Sequence, residues 1–521
     1  MAGSSGTTAR NSATVAVWTL VSRVTGLLRV VVVGAALGAT YFANSFQATN
    51  VVPNIVFSLI TGPVLTMVLI PALIGALERG GPDGARQLLA TVGRWLVLVA
   101  AAVAGVLVVA APALAWTLSR GIPDPAQQQH GWWLTTLLLV LVAPQIVLYC
   151  LVHLGISAQR AQGRFALSAA APAVENVVLI GVVAAAGWWY GYGLDVADVP
   201  VGLVIVLGLG STLAVGLHAA LQLFGAARVG LPAWPSLRRR GDSHSAEVIV
   251  RLRRSVGVAA LPSLAMYVLI AIASSVPGGV FVVQMSYSVQ FSMSYLSSRA
   301  VSMASLPELA DARADTSAFA TIWRRGLAYA LIAGLPLAVL LAVLAAPTAG
   351  LLAAGELRGT ALVGSLAGCL VLVAVSQLVT GLSDLGNQAL YARLEDQVPR
   401  IASRVTLGVT AVVGLTALLA PAGGARLVWL VAAVLAGELC AAALVLGRIR
   451  RVIRPERFVD RRALAGTVFA ALVMIPVVAG TWWAQHAYPG GQLATVLVLA
   501  VGCGAAVAAY ALVLRGTWRA I

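Results

Sequence analysis

The sequence predicts an all-α, polytopic membrane protein. Three observations carry that prediction. Of 521 residues, 60% are hydrophobic and only 10% charged, whereas soluble domains carry about 25% charged residues. Apolar runs recur from one end of the chain to the other, each near the ~20 residues a helix needs to cross a bilayer. The runs are continuous rather than alternating with a period of two, which sets aside a membrane β-barrel.

Taken in order, fourteen spans are expected, at 12–37, 46–75, 93–118, 132–156, 167–189, 199–226, 255–275, 280–304, 326–346, 360–385, 402–421, 427–447, 463–484 and 491–514. The first run is long and lacks a small-residue cleavage exit, so it is expected to remain as a helix. An even number of spans puts both termini on one side. With that side cytoplasmic, 28 of the 34 arginines fall in cytoplasmic segments, three outside (Arg120, Arg358, Arg426) and three within helices (Arg23, Arg29, Arg299). The opposite orientation would violate the positive-inside bias. The chain has no lysine, and its net charge of +16 follows this topology rather than forming a nucleic-acid footprint. No nucleic-acid partner is expected.

Two basic stretches punctuate the spans: GAARVGLPAWPSLRRRGDSHSAEVIVRLRRS (225–255) and RIRRVIRPERFVDRR (448–462). Such loops rest on anionic lipid headgroups; a docking role for a partner protein is the alternative. They divide the chain into an N-lobe at 1–226, a basic linker at 227–254, a C-lobe at 255–447, a basic loop at 448–462, and a terminal helix pair at 463–521. Many transporters pair two repeats around a midplane site, although no clean repeat is visible in this sequence.

The charged residues inside spans are the candidate functional residues. An arginine at the centre of a spanning helix costs about 2.5–3.5 kcal/mol on insertion scales, and SRVTGLLR (22–29) holds two. Guanidinium binds phosphate bidentately, so Arg23 and Arg29 are candidates for an anionic ligand, against the alternative that Arg23 snorkels to the headgroups. Six residues apart, they lie about 9 Å apart along a straight helix and about 120° apart around it. A bend at Gly26, beside Thr25, would bring them to one wall. Arg299 is either a third cationic contact or an interfacial anchor. Glu175 and Glu438 are candidates for carrying a proton or cation for coupling, or are hydrogen-bonded to a neighbouring helix. His153 and His218 have no carboxylate or cysteine at ligand spacing, and Cys150, Cys369, Cys440 and Cys503 stand at unrelated positions in apolar runs. No metal, no cofactor and no enzymatic activity are expected; coupling falls to an ion or the membrane potential.

Four stretches resemble the MurJ/MviN lipid II flippase family of the multidrug/oligosaccharidyl-lipid/polysaccharide exporter superfamily, in an actinobacterial-like divergent form. They are SRVTGLLRVVVVGAALGATYFANSFQATNVVPNI (22–55), PQIVLYCLVHLGISAQRAQGRFALSAAAPAVENVVLIG (144–181), FVVQMSYSVQFSMSYLSSRAVSMASLPELADA (281–312) and LYARLEDQVPRIA (390–402). The last carries the loop motif at Tyr391, Arg393 and Pro399. The resemblance implies fourteen helices in two pseudosymmetric six-helix lobes around a cavity, with the final pair forming a lipid-tail groove. It implies a multi-pass protein of the bacterial cytoplasmic membrane, active in peptidoglycan and cell-wall biogenesis and in cell shape. It also implies transport of lipid II by alternating access, arginines binding the pyrophosphate.

This chain departs from the family pattern at definite places. Its arginine within the eighth helix corresponds to Ser288, and Arg299 lies eleven residues on, three turns later and on nearly the same face of a continuous helix. Phe57 and Ser58 stand where a basic pair is usual, Gly62 where an acid is, and Asn44 where an aspartate is. Such departures leave open a flippase for another lipid-linked saccharide, a superfamily antiporter, or a transport-inactive scaffold for cell-wall or division proteins.

Overall fold

The computed structural model describes residues 3–60, 64–234, 243–255, 260–453, 458–487 and 490–519. The described residues are helical almost throughout. In order the helices are α1 (Gly3–Leu37), α2 (Tyr41–Ile60), α3 (Val64–Ser119), α4 (Pro125–Val142), α5 (Gln145–Ala161), α6 (Ala166–Tyr190), α7 (Val201–Arg228), α8 (Ser243–Ser255) and α9 (Ala260–Ala273). There follow α10 (Gly279–Leu296), α11 (Ser298–Asp311), α12 (Thr316–Val343), α13 (Ala345–Leu352), α14 (Leu362–Ala392), α15 (Gln397–Thr416), α16 (Gly424–Val452), α17 (Arg461–Ala487) and α18 (Gln492–Arg519). Among the described residues, eleven helical segments are long and apolar enough to cross a bilayer. The fourteen expected spans are reached by adding α2, the short α9, and the pair α10–α11. The boundary between the second and third spans is sharp in sequence. At Glu78-Arg79-Gly80-Gly81-Pro82, α3 breaks with Gly81 at φ 60°, a left-handed conformation that only glycine adopts without penalty.

The chain divides into two compact units, Met1–Phe281 and Val282–Ile521. The boundary lies beyond the basic stretch at 227–254, because α9 packs on α2 and α3. Asn44, at the start of α2, secures the turn that follows α9. Its Nδ2 donates to the carbonyls of Ser274 (3.1 Å) and Val276 (2.7 Å), and its Oδ1 accepts from the Val280 amide (3.0 Å).

In the first unit, one apolar core joins α2, α3, α5 and α8 around Leu65, Leu69, Leu96 and Ile146. A second joins α1, α2, α4, α6 and α7 around Phe42, Phe46, Leu134 and Val204. Close helix approach rests on small residues, as is usual in lipid: a Cβ added to Gly155 of α5 would stand 2.7 Å from the Gln222 backbone of α7. In the second unit Trp323, fully buried on α12, donates from its indole to the Phe458 carbonyl (3.0 Å). The pair α17–α18 packs on α12 and α13 through Met474, Val478 and Ala506, and Tyr510 donates to the Ile332 carbonyl (3.0 Å).

Although no repeat shows in the sequence, one helix in each unit ends alike. After α5, Gly163 (φ 68°) donates to Arg160 O and Arg164 to Gln159 O. After α14, Leu394 (φ 62°) donates to Tyr391 O and Glu395 to Leu390 O. Both are 5→2 and 6→1 caps with a left-handed residue at the hinge. A methyl group on Gly163 would touch nothing within 4 Å, so Gly163→Ala tests the backbone alone. It is expected to destabilise the purified protein by about 1 kcal/mol, measured by chemical unfolding in detergent.

Candidate substrate site

In the first unit five helices bring a polar cluster together. Glu175 on α6 lies at its centre, its side chain 12% exposed. Arg29 of α1 approaches one carboxylate oxygen at 4.0 Å and is itself 31% exposed. His218 of α7, 6% exposed, meets the other oxygen through Nδ1 at 2.6 Å. Tyr149 of α5 donates to Glu175 at 3.4 Å, and Asn54 of α2 adds a side-chain hydrogen bond to the same phenol. Beyond His218, Nε2 stands 3.3 Å from Gln222 Nε2, and Gln159 donates to Gln222 Oε1 at 2.7 Å. Gln159 lines a cleft of about 690 Å³ with Arg164, Phe165 and Arg228. A file of polar side chains thus runs from Arg29 to the wall of that cleft. Its carboxylate is shared between a cation and an imidazole, and the cation retains open surface for a further anion.

The motif that holds Arg29 is built against α6. Asn176, next to Glu175, donates to Ser22 O (3.3 Å) and Thr25 Oγ1 (3.2 Å). Thr25 in turn reaches back to Val21 O (2.9 Å), a local bond that leaves the helix intact. The expected bend at Gly26 is absent, since α1 is one continuous helix from Gly3 to Leu37. A Cβ at Gly26 would lie 3.5 Å from Asn176 Nδ2, ordinary contact, so glycine is required there neither for a bend nor for fit. Arg23 is half-buried on the same unbroken helix, so six residues of rotation separate it from Arg29 and the two do not share a wall by bending.

The second unit holds its own cluster. Gln290 of α10 donates to Glu438 Oε1 (2.7 Å) on α16 and to Ser376 Oγ (2.8 Å) on α14, and Ser376 bonds the other oxygen of Glu438. Arg299 pairs with Asp384 of α14 (Nε to Oδ2, 3.3 Å) and lies over the rings of Phe291 (5.6 Å) and Tyr295 (4.9 Å). The expected shared face of Ser288 and Arg299 does not form. The helix breaks at Ser297 (φ −112°, ψ −96°), which puts Arg299 at the start of α11, while Ser288 on α10 is half-buried and donates to Gln284 O (2.9 Å). Asn44 is 1% exposed, and its amide is taken up by the backbone bonds described above. Arg393 donates to Arg313 O (3.2 Å), lies over the Phe319 ring (5.3 Å) and approaches Glu395 (3.7 Å). Glu395 also accepts from Arg448 (2.8 Å). The loop motif therefore ties α14 to α12 and α16; Tyr391 is exposed and Pro399 buried in the first turn of α15. Among the described residues no group of three His, Cys, Asp or Glu side chains is placed to hold a metal ion.

Residues 33–501 match the family described as lipid II flippase MurJ. The chain belongs to that family. A curated member, the lipid II flippase MurJ of Burkholderia cenocepacia, is 26% identical over 167 residues, a stretch that spans 32% of each chain. This alignment therefore covers only about a third of that relative. Among solved structures, a lipid II flippase MurJ in an inward closed conformation superposes with a TM-score of 0.76 at 14% identity, over 97% of this chain and 98% of the other. A superfamily transporter from Pyrococcus furiosus, described as having a binding pocket of reversed polarity, gives a TM-score of 0.55 at 14% identity, over 85% and 95%. At such identities the likeness concerns the fold.

Membership in the MurJ family places this chain among carriers rather than enzymes. It also gives the departures in α2 a physical reading. Phe57, where the family pattern carries a cation, is buried and stacks on His153 of α5 with ring centroids 4.6 Å apart and planes 21° apart. Gly62 lies outside the described residues. Sequence reading missed His218 and Tyr149 as partners of Glu175, and Asp384 as the partner of Arg299. It had given the histidines no carboxylate, whereas His218 has one 43 positions away, on the neighbouring helix.

Proposed function

We propose that this protein is a flippase that moves a polyprenyl-pyrophosphate-linked peptidoglycan precursor, lipid II, from the inner to the outer leaflet by alternating access. The observation that carries the anionic cargo is Arg29. It lies within a spanning helix, its counter-ion stands at 4.0 Å, and nearly a third of its side chain is open. A pyrophosphate oxygen pair matches the guanidinium fork and is worth more there than a single carboxylate contact. In this reading Arg23 and Arg299 contribute further positive potential, with Asn44 and Ser288 holding backbone around the path. Glu175 and Glu438 are the coupling candidates of the two units. Both termini lie in the cytoplasm, α17–α18 receives the lipid tail, and the basic loops at 227–254 and 448–462 rest on anionic lipid or dock cell-wall and division proteins.

A second reading is favoured by one observation. The stack of Phe57 on His153 takes the place of a cation, so the cavity holds less positive charge than the family pattern and suits a headgroup with fewer phosphates or another lipid-linked saccharide. Complementation separates the two. The host's own lipid II flippase is depleted, this protein is expressed, and lipid II exposed at the outer leaflet is measured. Rescue is the expected result; expression in the membrane without rescue would assign the cargo elsewhere.

A further inference from the structure

We propose that the Glu175–His218 pair is a proton-binding site that takes up a proton when an anion occupies Arg29. Resting on the reading above, the inference adds the ion that accompanies the cargo. The argument starts from charge. Arg29 and Glu175 neutralise one another across 4.0 Å in a spanning segment, where an unbalanced charge is costly. A pyrophosphate that takes the Arg29 guanidinium leaves Glu175 as a carboxylate without its cation. Among the described residues its neighbours at hydrogen-bonding distance supply no fixed positive charge. They are the phenol of Tyr149 on α5 (3.4 Å) and the imidazole of His218 on α7 (2.6 Å). His153 of α5 stands behind, stacked on Phe57 of α2, and Arg23 lies a turn and a half earlier on α1. One proton taken from solution onto Glu175 Oε1, the oxygen that faced Arg29, restores the balance while Oε2 stays against His218 Nδ1. No bond other than the O–H forms, and no redox step is involved.

The geometry suits an exchange better than a fixed ion pair. At 2.6 Å the carboxylate and imidazole hold a proton between them, whereas at 4.0 Å the guanidinium is near enough to attract but not to bond. Gln222 meets the His218 ring from behind (3.3 Å) and is itself held by Gln159 (2.7 Å), which leads to the cleft that Gln159 lines. His218 is a positioning residue in this scheme, and Glu175 is the proton acceptor.

The test uses the full chain in detergent or nanodiscs. Undecaprenyl pyrophosphate is added to weakly buffered protein near neutral pH, and proton uptake is followed with a pH-indicator dye alongside binding. The expected result is an uptake approaching one proton per bound pyrophosphate, abolished by Glu175→Gln and reduced by His218→Gln, each uptake being read per pyrophosphate bound in the same sample. Binding without proton uptake overturns the inference and leaves the proposed function standing. Absence of binding strikes the proposed function instead. The proton site is then decided by infrared difference spectra of the ligand-free protein after a pH jump: a carboxyl band missing in Glu175→Gln upholds it, and spectra identical in the two proteins overturn it.

Discussion

Arg29→Ala lowers outer-leaflet exposure of the lipid-linked cargo by roughly thirtyfold or more in the depleted host, at unchanged protein level. The figure follows from the loss of a charged partner in a partly buried site, about 2 kcal/mol or more, at 1.4 kcal/mol for each factor of ten. Part of the loss arises in the empty protein, because Glu175 keeps its His218 contact but loses the Arg29 guanidinium at 4.0 Å. Arg29→Lys should recover only part of the activity, since an ammonium keeps the charge but not the two-pronged fork. Quantifying exposed lipid II for wild type, Arg29→Lys and Arg29→Ala gives the order. Full activity of Arg29→Ala would remove this arginine from the transport path.

The second large effect is on stability. Asn44 stands where the family pattern carries aspartate, and restoring that residue by Asn44→Asp is expected to destabilise the protein by about 1–3 kcal/mol. The amide nitrogen feeds two backbone carbonyls, Ser274 at 3.1 Å and Val276 at 2.7 Å. A carboxylate has no proton to offer either; Val276 O keeps the Gly279 amide (2.8 Å), whereas the Ser274 carbonyl is left a buried acceptor without a donor, which costs about 1–3 kcal/mol. The Val280 amide would still find an acceptor, so the loss is specific to the donor side. Thermal unfolding followed by tryptophan fluorescence in detergent should show a clear fall in Tm. An unchanged Tm would mean that the α9–α10 turn draws its hold from elsewhere.

Much of the fold was legible because lipid imposes a coarse rule. Length and hydropathy locate spanning segments without reference to any partner, and the gap expected between the spans at 46–75 and 93–118 holds the break that α3 contains at Gly81. Arg29 was legible for the same reason, since a charge in hydrocarbon announces itself by its cost. What the chain conceals is pairing between helices. Glu175 and His218 are 43 residues apart on α6 and α7, and Arg299 and Asp384 are 85 apart on α11 and α14, so no spacing along the sequence links them. The two failed expectations share a cause. Both treated a helix as an isolated object, with Gly26 free to bend and Ser288 in phase with Arg299. In the folded protein Asn176 of α6 braces the Ser22–Thr25 turn, and the backbone breaks at Ser297, so neighbours and local backbone decide both outcomes.

Asn44 also sets a clock on biosynthesis. Its three partners lie 230 to 236 residues downstream, and chain growth at about 5–20 residues per second puts roughly ten to fifty seconds between them. For that interval the start of α2 is synthesised while its amide has nothing to hold. The first unit is thus completed only when the turn after α9 emerges, well after its seven preceding long helices have been made.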